Sequence, residues 1–283
     1  MQTRTLKKLA LLLTAFGLAH SAVNAGIFTS DFSNPSQTGF TLNGGLLADL
    51  VTPYPAITNG HLILTYDEGS LNGAIVLDDL DAGAAIESFT ASFKLQIARA
   101  SGTAADGSSF NFGPDITSSS KPSEEGTGNG IIVAFDIYDN GGGEAPAIDV
   151  KYGGVTIGHT RFTVADMVTG QFENVIIQLT RSGTLNVTWK GIPVYQNLVL
   201  PGYVPSQGQF AIGSRTGGSS ASQAVDDLNV TTQLVGPDAP PTITSQPQNV
   251  TVEEHGMLRT FLTSYFRSNW PRRGFGRLAG LAS

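Results

Sequence analysis

The chain has 283 residues with 34 Gly, 14 Pro and only 14% charged residues. That composition suits many strands joined by tight turns and disfavours a helical bundle, because Gly and Pro weaken helix interiors. Hydrophobic residues make up 40%, enough for a sizeable core, and the absence of cysteine leaves stability to that core and to any bound metal. Residues 26–255 set eight Lys and Arg against 23 acidic residues, a formal charge of −15. Such a field repels phosphate, so nucleic acid is not an expected partner, whereas uncharged sugars and Ca²⁺ are compatible with it.

Residues 1–25 read as a secretory signal peptide. Arg4, Lys7 and Lys8 form the positive end, Leu9 to Leu18 the apolar run, and Val23-Asn24-Ala25 the cleavage site, with Gly26 as the new N-terminus. The run is too short to span a bilayer comfortably and no other segment approaches that length, so the expectation is a secreted or cell-surface chain with no transmembrane segment in its mature form. From Phe28 to about Val235 short β-like runs follow one another: 61–66, 88–97, 130–136, 148–152, 175–180, 184–189, 209–212 and 225–230. The run Ser88 to Ile97 alternates apolar and polar as a half-buried strand must, and 130–136, nearly all apolar, reads as a central strand. Turn signals lie between them at Asn59-Gly60, Asn72-Gly73, Asn140-Gly141, Gly153-Gly154, Arg181-Ser182-Gly183, Lys190-Gly191 and Gly217-Gly218. The Ser-, Gly- and Thr-rich stretch 101–129 is expected to be a long exposed loop. This cadence over roughly 200 residues predicts one all-β sandwich domain, 26–235. A Pro-rich linker follows at 236–241. Residues 242–255 resemble the opening strands of a bacterial immunoglobulin-like domain, and 256–283, with five Arg and no acid, read as a basic, disordered or aberrant tail of the kind a frameshift or truncated gene leaves, with a genuine basic tail for an anionic surface as the alternative.

Three segments resemble the concanavalin-like superfamily of legume-type lectins and laminin-G-like domains. Ala105-Asp106-Gly107-Ser108-Ser109-Phe110 is similar to the lectin Ala-Asp-Gly-x-x-Phe segment. Ile132 to Asn140, followed by Ala147-Ile148-Asp149-Val150, is similar to the lectin strand with Phe-Asp-x-aromatic-x-Asn and the later Ile-Asp-Val strand. Phe210 to Gly218 is similar to the lectin Phe-Ser-Ala-x-Thr-Gly loop. The order along the chain is also the lectin order. The resemblance implies a concanavalin-like jelly-roll sandwich of two antiparallel sheets and a carbohydrate-binding, non-catalytic function. It implies that Asp106 accepts hydrogen bonds from sugar hydroxyls, with a cis bond between Ala105 and Asp106. Gly107, Asn140, Arg215, Thr216, Gly217 and Gly218 would complete the carbohydrate site. It also implies Ca²⁺ held by Asp136, the Tyr138 carbonyl, Asn140 and Glu144, an all-oxygen set suited to a hard cation. Two departures stand out: the Glu that the lectins carry two residues before the metal-binding Asp is Ala134 here, and no His lies between His61 and His159. The transition-metal half of the lectin site is therefore not expected.

The residues themselves leave other readings open. An Asp beside Gly can cap a loop as an Asx turn, and a Gly-rich hairpin needs no metal. Trp189 and Tyr152 fall on strands, where core packing is the default. His61 and His159 are isolated, and Asp226 and Asp227 could ligand a second cation with Asp31 or guard a sheet edge. A retaining glucanase needs two carboxylates on one face about 5–5.5 Å apart, and Glu124-Glu125, being adjacent, would point to opposite faces of a strand. No other catalytic motif is present. The expected function is therefore a lectin-like, glycan-binding module, with a structural adhesion spacer and a glycoside hydrolase or lyase as the alternatives.

Overall fold

A computed structural model describes residues 25–236. The signal-peptide, linker, immunoglobulin-like and tail assignments lie, apart from their boundary residues, outside the described residues. In chain order the strands are β1 (Ile27–Ser30), β2 (Phe40–Asn43), β3 (Gly45–Leu46), β4 (Pro53–Tyr54), β5 (Ala56–Thr58), β6 (His61–Thr65), β7 (Asn72–Leu77), β8 (Ile86–Ala98), β9 (Gly107–Gly113), β10 (Ile131–Asp136), β11 (Ala147–Tyr152) and β12 (Val155–Arg161). After one turn of helix, α1 (Val164–Met167), come β13 (Phe172–Leu179), β14 (Thr184–Trp189), β15 (Ile192–Val199), β16 (Gln209–Arg215) and β17 (Ser222–Leu234). Two large antiparallel sheets result. One runs β15-β14-β13-β8-β17-β6-β5, with β1 also paired to β17, and the other runs β12-β11-β10-β9-β16-β7-β2. The all-β sandwich expected from the strand cadence is the observed architecture.

The sheets face each other across one apolar layer, and strand alternation decides which residues enter it. On β8, Phe89, Ala91, Phe93, Leu95 and Ile97 point inward, while Thr90, Ser92, Lys94 and Gln96 stay partly exposed. From the other sheet Phe110 and Phe112 of β9, Ile131, Val133 and Phe135 of β10, and Phe210 and Ile212 of β16 meet them. Aromatic rings fill the centre: Phe112 stacks on Phe210 at 4.7 Å, Phe89 meets both edge-on at 5.2 Å, and Trp189 lies against Phe135 at 5.5 Å. Burying each large apolar side chain contributes roughly 1.5–3 kcal/mol. Trp189 is a core residue, as its strand position implied.

Strands β9 and β10 are buried on both faces, and the reason corrects the expectation of a long exposed loop at 101–129. Residues 107–113 of that stretch form β9 itself, and residues 114–130 fold back over the outer face of the seven-stranded sheet. Ile116 packs on Val76 and Ala211. Asn43 Nδ2 donates to the Ser118 and Ser120 carbonyls at 2.7 and 3.1 Å, and the Thr127 N–H donates to Asn111 Oδ1 at 2.9 Å. Pro122 lies so close to β16 that a β-carbon on Gly213 would stand 2.1 Å from its carbonyl oxygen. The stretch is a cover, and its small and polar residues are what let it hydrogen-bond flat against the sheet.

Candidate functional site

The end of the seven-stranded sheet where β9 starts, β10 ends and β16 ends is built by register. Gly107 pairs with Asp136 on one side and with Arg215 on the other. Asp106, one residue before β9, continues both ladders. Its N–H donates to the Arg215 carbonyl at 3.0 Å, and its carbonyl accepts from the Ile137 N–H at 2.9 Å. The Ala105–Asp106 peptide bond is cis. The Asp106 side chain is 5% exposed and Oδ2 accepts from Arg215 Nε at 3.0 Å. A β-carbon on Gly217 would lie 3.1 Å from the same oxygen. Two of the three lectin-like segments thus meet at Asp106. The third touches it through Ile137, three residues before the exposed Asn140.

Within the 215–218 loop the groups are unequal. Thr216 is 2% exposed, and its hydroxyl donates to the Glu68 carbonyl at 2.6 Å while accepting the Leu71 N–H at 2.9 Å. Thr216 therefore ties the loop to residues 66–71. The Gly217 N–H donates to the Ser219 carbonyl at 3.1 Å, and the Gly217 carbonyl accepts from the Ser70 N–H at 3.0 Å. Gly218 is exposed, with nothing within 4 Å of where a β-carbon would stand. Residues 66–70 form a wall of this end that the sequence reading did not single out. Behind them Asp67 accepts from Ser220 Oγ at 2.9 Å and from the Ala100 N–H at 3.2 Å, and it pairs with Arg99.

All four metal-candidate residues lie on the 136–146 turn, and their hydrogen bonds run between near neighbours in sequence. Asp136 Oδ1 accepts the Tyr138 N–H at 3.0 Å, Glu144 Oε1 accepts the Asn140 N–H at 2.8 Å, and Asn140 Nδ2 reaches the Tyr138 carbonyl at 3.5 Å. Asp136 is 2% exposed. Burial first, then the neighbouring Glu125 and Glu124 carboxylates, push its pKa up to about 7 against the Tyr138 N–H bond. A buried carboxylate among other carboxylates, on a turn that offers a carbonyl and an amide oxygen, is a donor set that fits a hard divalent cation. Among the described residues no three His, Cys, Asp or Glu side chains converge to hold a metal, so such a cation would depend on the Tyr138 and Asn140 oxygens as well. Ala134, opposite Asp149, supplies no second carboxylate. His159 Nδ1 lies 2.7 Å from Asp149 Oδ1, so that histidine is a hydrogen-bond partner of Asp149, while His61 packs on Phe172 at 5.3 Å. Asp227 pairs with Lys94 at 2.6 Å.

Glu124 and Glu125 arrive from the cover, in the turn Ser123–Gly126. Glu124 is 2% exposed, with Oε2 3.2 Å from Arg215 Nε. Burial raises its pKa, offset only in part by its own amide and by Arg215. Glu125 pairs with Lys151. A groove of about 340 Å³ lined by residues including Thr90, Gln178, Arg181 and Thr231 lies on the other sheet, away from Asp106. No helix among the described residues is long and apolar enough to cross a membrane.

No protein-family model and no curated protein sequence matches the chain. Solved structures do. The exoplasmic/lumenal domain of VIP36 in a Ca²⁺/Man3GlcNAc-bound form superposes with a TM-score of 0.55 at 15% identity, over 74% of this chain and 92% of that one. Lectin I-B4 of Griffonia simplicifolia in its metal-free form gives 0.54 at 17%, over 74% and 99%. The Bauhinia forficata lectin in complex with GalNAc gives 0.55 at 17%, over 75% and 99%. The chain has the concanavalin-like jelly-roll fold of these lectins.

Proposed function

We propose that the protein is a lectin-like, non-catalytic carbohydrate-binding module, acting outside the cell or on its surface, with its glycan site at Asp106. The observation that carries this reading is the meeting of Asp106 with the 215–218 loop on a fold shared with sugar-bound lectins. Asp106 is acceptor-only and beside it the chain offers donors, so adjacent sugar hydroxyls, each both donor and acceptor, find complementary partners. Asp106 Oδ1 and Oδ2 accept. The Gly218 N–H, the outer nitrogens of Arg215 and the Asn140 amide donate. The Gly217 N–H and the Thr216 hydroxyl are already engaged inside the loop, so both residues shape the site. Gly107 lets the backbone turn away from Asp106 at φ +143°.

Asp136, the Tyr138 carbonyl, Asn140 and Glu144 would hold Ca²⁺, which would supply the positive charge that the buried Asp136 lacks and hold the turn bearing Asn140. The sandwich neighbours in this reading bind sugars. A second carboxylate, Glu124, does stand near Asp106, but the Arg215 Nε–H lies between the two, an arrangement that engages both acids with a guanidinium and not with the two sides of a scissile bond as in a retaining glycosidase. A few hydrogen bonds to water-competing hydroxyls contribute about 0.5–1.5 kcal/mol each. Single-site affinity is then on the order of 0.1–1 mM, and several copies on one surface would be needed for firm attachment. The test is a glycan array probed with the multimerised chain, with Ca²⁺ and with EDTA. Binding to neutral glycans is expected, weakened by EDTA. An array without signal in either condition would leave the spacer reading in its place.

A further inference from the structure

The cover carries one side chain that the proposed glycan site does not yet use. Glu124 is 2% exposed, and its Oε2 lies 3.2 Å from Arg215 Nε. That same nitrogen donates to Asp106 Oδ2 at 3.0 Å. A single N–H thus stands between two carboxylates and gives its hydrogen bond to Asp106, while Glu124 Oε2 is buried with no hydrogen bond of its own. Taking a carboxylate oxygen out of water is expensive unless its charge acts on a neighbour, and the cation beside this one is Arg215. The Arg215 side chain is nevertheless 42% exposed. Neither of its Nη nitrogens has a hydrogen-bond or ion-pair partner among the described residues. Its Nε edge is therefore set against two buried acids and its Nη edge faces outward.

We propose that Glu124 is a positioning residue of the glycan site, which together with Asp106 clamps the Nε edge of Arg215 so that both Nη groups are presented to ligand oxygens. The proposal rests on the reading of Asp106 as the sugar-accepting residue. A guanidinium held by one carboxylate can still swing on its long stem, whereas two carboxylates from different segments fix its position. The two anchors here come from the turn before β9 and from the cover over the sheet, so the loop that closes the outer face also sets the donor that meets the sugar. The bland alternative is that Glu124 only pins the cover down. That role needs no coupling to Arg215.

Two measurements on the full-length chain separate these. The first needs no ligand. In a ¹⁵N-labelled sample the Arg215 Nε–Hε cross-peak is identified by its loss in Arg215→Lys. In the wild type it should exchange slowly with water. In Glu124→Gln, which keeps the shape, it should shift and exchange about tenfold faster while the melting temperature holds. If Glu124→Gln fails to fold, Glu124→Asp, which keeps the charge on a shorter stem, should show the same change at smaller size. An unchanged cross-peak overturns the proposal. The second is a double-mutant cycle on whichever sugar the array identifies. Glu124→Gln and Arg215→Ala should each weaken binding about tenfold, and the double variant no more than Arg215→Ala alone. Additive losses would leave Glu124 a loop anchor only and overturn the proposal. An array with no binding sugar counts against the glycan reading, and the cross-peak still decides the role of Glu124.

Discussion

Asp67 stands where residues 66–71, 98–104 and 216–221 come together behind Asp106. Partial burial pushes its pKa up, but the Ala100 N–H, the Ser220 hydroxyl and Arg99 together outweigh that and hold it below the ordinary aspartate value. A depressed folded-state pKa means that the stabilisation is present above the unfolded value near 3.9 and is lost as pH falls through the folded one. Asp67→Asn should therefore melt about 3 °C lower than the wild type above pH 5, equivalent to about 1 kcal/mol for a domain of this size. The gap should close below pH 4. Thermal melts of both proteins from pH 2 to 7 check this, and a gap that is constant across the range would contradict it. Asp106 itself was legible from its Ala-Asp-Gly setting, because a short motif on one segment is visible in one dimension. Glu124 was not. Adjacent carboxylates on a strand would point to opposite faces, whereas these two lie in a turn of the cover, and a residue that contacts Arg215 across 91 positions of sequence leaves no local signal.

The cover, residues 114–130, is the element whose role the sequence concealed. Its composition is that of an exposed loop, and its outer residues are exposed; only the partners on β9, β10 and β16 bury Ile116, Pro122 and Glu124 and make it a layer packed on the sheet. At Gly213 the carbonyl of Pro122 leaves no room on β16 for a β-carbon. Gly213→Ala should lift Pro122 and its neighbours, lower the melting temperature by several degrees and expose Ile116 and Glu124 to solvent. Faster hydrogen exchange confined to 116–127 is the expected readout, and a variant with wild-type exchange there would count against the packed cover. Elsewhere the strand pattern was readable where alternation was strong, as in β8. It failed at β15, where Pro193 interrupts the run, and at β12, where Gly158 does. Asn72-Gly73 carries a turn signal but opens β7: a β-carbon on Gly73 would stand 2.0 Å from the Leu64 carbonyl oxygen, so the glycine serves a close approach. At Asn59-Gly60 both residues do take positive φ, 53° and 77°, and the hairpin between β5 and β6 is where the signal placed a turn.

At the scale of the domain, the described residues form one apolar layer between two sheets, centred on Phe89, Phe93, Phe110, Phe112 and Phe210. Phe110 touches Phe89, Phe93 and Phe210, so Phe110→Ala should cost about 3–5 kcal/mol and lower the melting temperature by roughly 10 °C, measured by calorimetry. Because this strand also carries Gly107 and leads out of Asp106, the core and the site are mechanically one unit. In the proposed reading Ca²⁺ would act on the same unit through the turn that follows Asp136. Millimolar Ca²⁺ should raise the melting temperature of the wild type by linkage and leave Asp136→Ala unmoved, and an equal rise in both would place the ion elsewhere. Whether sugar meets the chain at Asp106 is decided by titration calorimetry of the array-identified sugar into the wild type and Asp106→Ala, with the melting temperature recorded for both. Heat of binding is expected in the wild type and none in Asp106→Ala, at a melting temperature that still marks a folded sandwich. Undiminished binding by a folded Asp106→Ala protein would contradict it.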